Sequence, residues 1–185
     1  MAITRLGGAN AITGTLPAAN INDTSISNIT ALPAGVGGKV LQVVQSSTST
    51  LKSTSSTTYS DSNLTGSITP SSASNKILIL TSQVLGVLQT GGTYATLKWK
   101  LMRNATDIYA STTNGGGNGN FWGYDPSGGG IGIFHNISLS YLDSPSTTSS
   151  VTYKTQIAQD TNGGTLAYAQ NEGNKSIITL MEIEG

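Results

Sequence analysis

The groups that could carry chemistry are few. Among 185 residues there is one imidazole, His135, and no cysteine, so thiolate metal sites are impossible and a nucleophile would have to find its base in a single ring. The stretch "IGIFHNISLSYLD" puts His135 in the same alternation phase as Ile133 and Ile137, and it is expected to face the core as a structural histidine. The carboxylates are Asp23, Asp61, Asp107, Asp125, Asp143, Asp160, Glu172, Glu182 and Glu184. Glycoside hydrolysis needs only a suitably spaced pair, so their number excludes nothing. Their settings argue against it: Asp125, Asp143 and Asp160 stand in "YDPSGG", "LDSPS" and "QDTNGG", where Asp is expected to bond its own backbone in a turn. Glu182 and Glu184 fall on the last strand and are expected to be solvated or at a subunit contact. No enzyme activity, metal or cofactor is expected.

The glycines of "NGGGNGN" and "SGGGIG" lack the preceding strand and following helix of a phosphate cradle. Sequons at Asn22, Asn28, Asn63, Asn104, Asn136 and Asn174 follow from the abundance of Asn, Ser and Thr and are not read as glycosylation sites. One loop has the composition of a binding surface. "GNFWGYDP" places Phe121, Trp122 and Tyr124 within a glycine-rich stretch, 114–130. Their rings either stack on a sugar or anchor a partner, or they cap the end of the domain or pack on a neighbouring subunit.

The elements that would position these groups are strands. Short runs rich in Ile, Val and Leu alternate with clusters of Gly, Ser, Asn and Pro, which predicts an all-β chain of about nine or ten strands with no helix of useful length. "KVLQVVQ" opens the series, and the Ser/Thr tract 46–60 follows as a loop or polar edge strand. In the long strand 76–88, Ile77 to Leu80 is apolar in both phases, so it is expected to be central and covered on both faces. "TYATLKWKLMR" alternates cleanly, with Leu97, Trp99 and Leu101 turned inward. "DIYAS", "IGIFHNISLSYLD", "VTYKTQIAQ", "TLAYAQ" and "KSIITLMEIE" supply the remaining strands.

Residues 1–38 differ in texture. "ITGTLPA" returns as "ITALPA", the apolar residues are sparse, and Pro17 and Pro33 forbid a continuous helix, so this stretch is read as an extended arm before a domain at 39–185. Charged residues are 10% of the chain and cancel to zero, so there is no basic field to attract nucleic acid or an anionic membrane surface, and neither is expected as a partner. No run approaches the roughly 20 apolar residues of a membrane span, and no basic region followed by an apolar one opens the chain. Synthesis in a cytoplasm without membrane insertion is expected.

Four ordered motifs, "GKVLQVVQ", "SITPSSASNKILIL", "YLDSPSTTSSVTYKTQ" and "SIITLMEIEG", resemble a β-rich domain of small virion and tail-fibre-like proteins of tailed bacteriophages, marine ones especially. The match covers 38–185, and "ITRLGGANAITGTLPAANI" resembles the leader that precedes such domains. The resemblance implies a homotrimeric antiparallel β-sandwich, jelly-roll-like, at the virion surface and bound to other virion proteins. It also implies that Ile12, Leu16, Ile21, Ile26, Ile29 and Leu32 anchor the arm against copies of itself or a capsid or tail surface. Two placements compete: a short tail fibre or receptor-facing tip that binds a host surface glycan, and a capsid decoration protein that cements the shell. A glycan-active enzyme and a free lectin-like module are the remaining alternatives.

Overall fold

The computed structural model of the chain describes residues 39–91, 94–110, 121–124, 126–159 and 165–185. The chain divides into Met1–Gly37 and Gly38–Gly185, and every described residue belongs to the second unit. The expected anchoring residues Ile12, Leu16, Ile21, Ile26, Ile29 and Leu32 therefore lie outside the described residues, as do Asp125 and Asp160.

Eleven strands are described: β1 (Val40–Thr48), β2 (Lys52–Thr54), β3 (Ser60–Ile68), β4 (Lys76–Gln89), β5 (Tyr94–Arg103), β6 (Thr106–Ala110), β7 (Phe121–Tyr124), β8 (Ile131–Asp143), β9 (Val151–Gln159), β10 (Thr165–Ala169) and β11 (Ser176–Ile183). Their pairing is nested. The first strand pairs with the last, β2 with β10, β3 with β9, β4 with β8, and β5 with both β6 and β7, all antiparallel. The chain is thus one long hairpin ribbon, and it is rolled up when β4 also pairs with β11 and β10 while β5 pairs with β9. Two sheets result. One runs β1-β11-β4-β8 and continues past the end of β11 as β2-β10-β4-β8; the other runs β3-β9-β5, with β6 and β7 sharing the far edge of β5. This is the strand order of a jelly roll, an all-β sandwich of two antiparallel sheets.

Alternation decides which side chains fill the space between the sheets. Ile77, Ile79, Leu85 and Val87 of β4 meet Leu97, Trp99 and Leu101 of β5 and Val151, Tyr153 and Ile157 of β9, all buried. The core forms two apolar clusters, one around Ile79, Leu101, Tyr153 and Leu180, the other around Val87, Leu97, Trp99 and Ile131. Buried polar side chains occupy the positions between them. Gln83 Oε1 accepts from Trp99 Nε1 and Thr155 Oγ1, both at 2.9 Å, and its Nε2 donates to Ser62 Oγ, also at 2.9 Å. These partners orient Gln170 too: its amide oxygen accepts from Gln83 Nε2 and Ser176 Oγ, and its nitrogen donates to the Ser62 carbonyl. Every member comes from a different strand or turn, so the network fixes the register of both sheets.

Several expectations are corrected. The run Ile77 to Leu80 is central within its sheet, but only one face is covered: Ile77 and Ile79 are buried, Leu78 is half-buried and Leu80 is exposed. A two-layer sandwich has nothing to lay on a sheet's outer face. His135 is exposed instead of facing the core, because β8 is an edge strand and pairs with β4 alone among the described residues. Phe121–Tyr124, expected in a loop, is strand β7; pairing with Tyr94–Leu97 holds it there, which its own four residues do not reveal.

Candidate functional site

The described carboxylates are largely committed to structural bonds. Glu182, expected at the surface, is buried on the inner phase of β11 at the rim of the sandwich. One carboxylate oxygen accepts from the Ser71 amide at 2.6 Å and from Asn75 Nδ2 and Ser71 Oγ; the other accepts from Gln42 Nε2. Burial alone would raise its pKa, but the hydrogen bonds from Asn75, Gln42 and Ser71 outweigh it and lower the value to about 2. Asp143, expected in a turn, ends β8 and is buried; Arg103 Nη1 donates to both its oxygens at 2.9 and 3.0 Å, and the Tyr153 hydroxyl donates at 2.7 Å. Burial, then that bond to Asp143, pushes the Tyr153 phenol far above its ordinary range. Asp107 is 2.9 Å from Lys100 Nζ. No group of three or more His, Asp or Glu able to hold a metal occurs among the described residues. Glu182, held ionised by its donors, is a poor proton donor, and Asp143 and Asp107 are engaged in ion pairs with Arg103 and Lys100, so all three suit stability better than acid catalysis.

Two surfaces remain that could bind. The first is at the end of the sandwich where β5 begins and β7 finishes. The register pairs Tyr94 with Tyr124, which sets both rings on one face at a centroid distance of 5.0 Å and an interplanar angle of 36°. Both are open to solvent, at 47% and 53% exposure. Gly123 helps here: a Cβ there would meet Ile133 Cδ1 at 2.3 Å, so without a shift of that side chain glycine is what lets Ile133 of β8 pack against the strand that carries Tyr124. Gly130, at φ 117°, returns the chain to β8 with the Gln89 carbonyl pressed against it. Paired exposed rings with hydroxyl edges offer a flat apolar surface and hydrogen bonds, which is what a sugar ring takes. Of the three aromatic residues singled out from the sequence, Tyr124 stands here; Phe121 and Trp122 share its strand, with their backbones opposite Leu97 and Thr96. Tyr94 was missed because it is the first residue of β5, on the polar side of the alternation, and acquires its role only through the register with β7.

The second surface is an open groove of about 570 Å³ lined by Thr48, Thr50, Asp61, Asn63, Leu64, Thr65, Thr152 and Lys154. A bulge in β3 shapes it. The register jumps between Asp61 and Thr65, and Asn63 takes a left-handed φ of 69° while its amide donates to the carbonyls of Thr50 and Leu51 at 3.3 and 3.4 Å. Burial would raise the pKa of Asp61, but hydrogen bonds from Lys154 and Gln156 and the nearby lysine charges lower it. The groove is a fixed array of hydroxyls and amides with one internal ion pair, suited to hydrogen bonding a polar ligand. Nothing in the sequence marked it, since its residues come from three distant segments.

No protein-family model matches this chain, and no curated protein matches it. Solved structures of infectious bursal disease virus are distantly similar. The Gt strain aligns at 11% identity and a TM-score of 0.34, over 78% of this chain and 40% of that one. The Gx strain aligns at 12% identity and a TM-score of 0.32 over 78% and 40%, and the T=1 particles derived from the virus at 12% and 0.32 over 78% and 38%. This chain therefore spans about 40% of the length of the first two solved chains it matches.

Proposed function

We propose that this chain is a non-enzymatic structural protein of a virion surface. It is a homotrimer held to the particle through residues 1–38, and it presents the far end of the sandwich to a host surface glycan as a short tail fibre or receptor-facing tip. The observation that carries the reading is the polarity of the domain. Nesting brings the first and last strands together, so the chain enters and leaves at one end: Glu184 N donates to the Lys39 carbonyl at 3.0 Å, and Gly185 N to Asn75 Oδ1 at 3.2 Å. The Tyr94–Tyr124 pair stands at the other end, level with the Gln89 end of β4, where Gly123 lies against Ile131 and Ile133; β4 has 14 residues, so its two ends are about 45 Å apart. Attachment and display are thereby separated by the length of the fold. The four sequence motifs that resemble phage virion proteins support the same reading, and so do carboxylates already committed to structural bonds.

Individually weak ring contacts suffice in such an assembly, since three copies on one particle bind together. The test is the copy number of the protein in purified particles, measured by quantitative mass spectrometry against the major capsid protein. A small multiple of three supports a fibre or tip. A number comparable to the capsid protein means a decoration of the shell, and absence from the particles overturns the virion reading.

A further inference from the structure

We infer that the outer face of the sheet β1-β11-β4-β8 is the surface through which copies of this chain join, each covering the face of another. The inference rests on the homotrimer proposed above and locates its contact. It starts from the run Ile77 to Leu80, whose second apolar phase the sandwich leaves uncovered. Register extends that phase across the whole sheet. Val43 is opposite Met181, Met181 opposite Leu78, and Leu78 opposite Leu142, giving an unbroken apolar row over four strands. Val43 is 56% exposed, Leu142 51% and Leu80 37%. Toward the other end Leu88 is opposite Leu166, and Phe134 reaches across Gly86 to meet Tyr168 edge-on at 5.7 Å. Between the two apolar zones lies a belt of Ser82, Asn136, Ser138 and Ser140, with Ser82 Oγ donating to Asn136 Oδ1 at 2.9 Å.

Three properties point to a second copy as the occupant. The first is size. With strands about 4.8 Å apart and a rise of about 3.4 Å per residue, four strands along the length of β4 present about 850 Å², close to the roughly 800 Å² that each partner buries in a stable interface. The second is charge. Among the described strand residues of this face the side chain charged at neutral pH is Lys76, at its very end, so a charged partner finds little to complement while a copy meets little repulsion. The third is pattern, since an apolar zone, a hydroxyl belt and a second apolar zone match themselves. The outer face of the other sheet contrasts with it, carrying Lys98, Lys100, Lys154 and Asp61. Three sandwiches with these apolar faces turned to a common axis would enclose a prism of Val43, Leu78, Leu80, Leu142 and Met181. Exposed apolar area of this extent is otherwise a liability for a particle protein.

The experiment uses the full chain. Mass in solution by light scattering is measured for the wild type, for Leu80→Lys and Val43→Lys, and for Ser67→Lys on the opposite sheet as control. The expected result is a multimeric wild type and control, with face variants that keep the strand signature in circular dichroism yet dissociate at roughly 30-fold higher concentration or more. Because the chain has no cysteine, Ser140→Cys adds a second reading that asks little of folding: a short bis-maleimide should link copies through it and not through Ser67→Cys. Face variants that keep the wild-type mass, with no link through residue 140, overturn this inference and leave the trimer reading standing. A monomeric wild type overturns both, and if removal of residues 1–38 then caused association, the arm would be the occupant of the face.

Discussion

At the scale of single residues, the polar side chains inside this sandwich determine how it answers pH. Glu182 has its folded pKa depressed to about 2 from its ordinary value of 4.5. A carboxylate depressed in the folded state contributes stability that is fully present above about 4.5 and lost as pH falls from there toward about 2. Melting temperature should therefore fall across that window, with Asp61 adding to the loss. Glu182→Gln separates the two: the slope should flatten, and stability at pH 7 should drop by about 1–3 kcal/mol because an amide cannot accept at both ends from Gln42, Ser71 and Asn75. Urea melts of both proteins at pH 7 and pH 3 read this directly, and parallel curves would contradict it. The core network is equally exposed to a single change. Gln83→Leu strips Trp99, Thr155 and Ser62 of a shared partner, with an expected loss of about 2 kcal/mol or more on chemical denaturation. Neither role was legible in the sequence. Gln83 closes a polar triplet, Thr81 to Gln83, that interrupts the apolar run, and its partners lie on β3, β5 and β9.

At the scale of elements, alternation made β4, β5, β8, β9 and β11 legible nearly to their ends, because each has one face in a core and period two is what such a strand must show. It failed where pairing, and not pattern, makes the strand. The strands β2 and β7 have three and four residues, and their neighbours hold them. Alternation also says which phase a residue occupies and not whether anything lies over it. That is why His135 is on the inner phase yet exposed, and why the double apolar run of β4 is covered on one side only. Gly86 illustrates what register adds. A Cβ there would lie 2.0 Å from Phe134 Cδ1 and 2.6 Å from the Ile133 carbonyl oxygen, so glycine lets the ring lie across β4 onto Tyr168. Gly86→Ala should cost about 1–3 kcal/mol in thermal or chemical unfolding. Phe134→Leu in that background should recover only part of the loss, since the backbone carbonyl still blocks.

At the scale of the whole molecule, nesting has consequences no single strand carries. Each pair from β1–β11 inward to β4–β8 joins residues far apart in sequence and only the β5–β6 hairpin is local among the described pairs, so little of the fold can form locally, and refolding of the isolated domain should take milliseconds to seconds, not microseconds. Stopped-flow fluorescence of buried Trp99 checks this. Nesting also sets where the sandwich starts. Among the described residues the sheets begin at Val40, and the backbone bond from Glu184 to Lys39 ties the entry point to the end of the last strand. Deletion of residues 2–35 should leave a folded protein whose melting temperature stays within a few degrees of the full chain. If Ile12, Leu16, Ile21, Ile26, Ile29 and Leu32 are the anchor, that protein should no longer join particles, while its Tyr94–Tyr124 end remains available to the host surface. An aggregated or unfolded product would break the separation of anchor from domain. Particles that still incorporate the shortened chain would instead move the attachment onto the sandwich, whose uncovered apolar sheet would then have to serve the particle before it could serve a second copy.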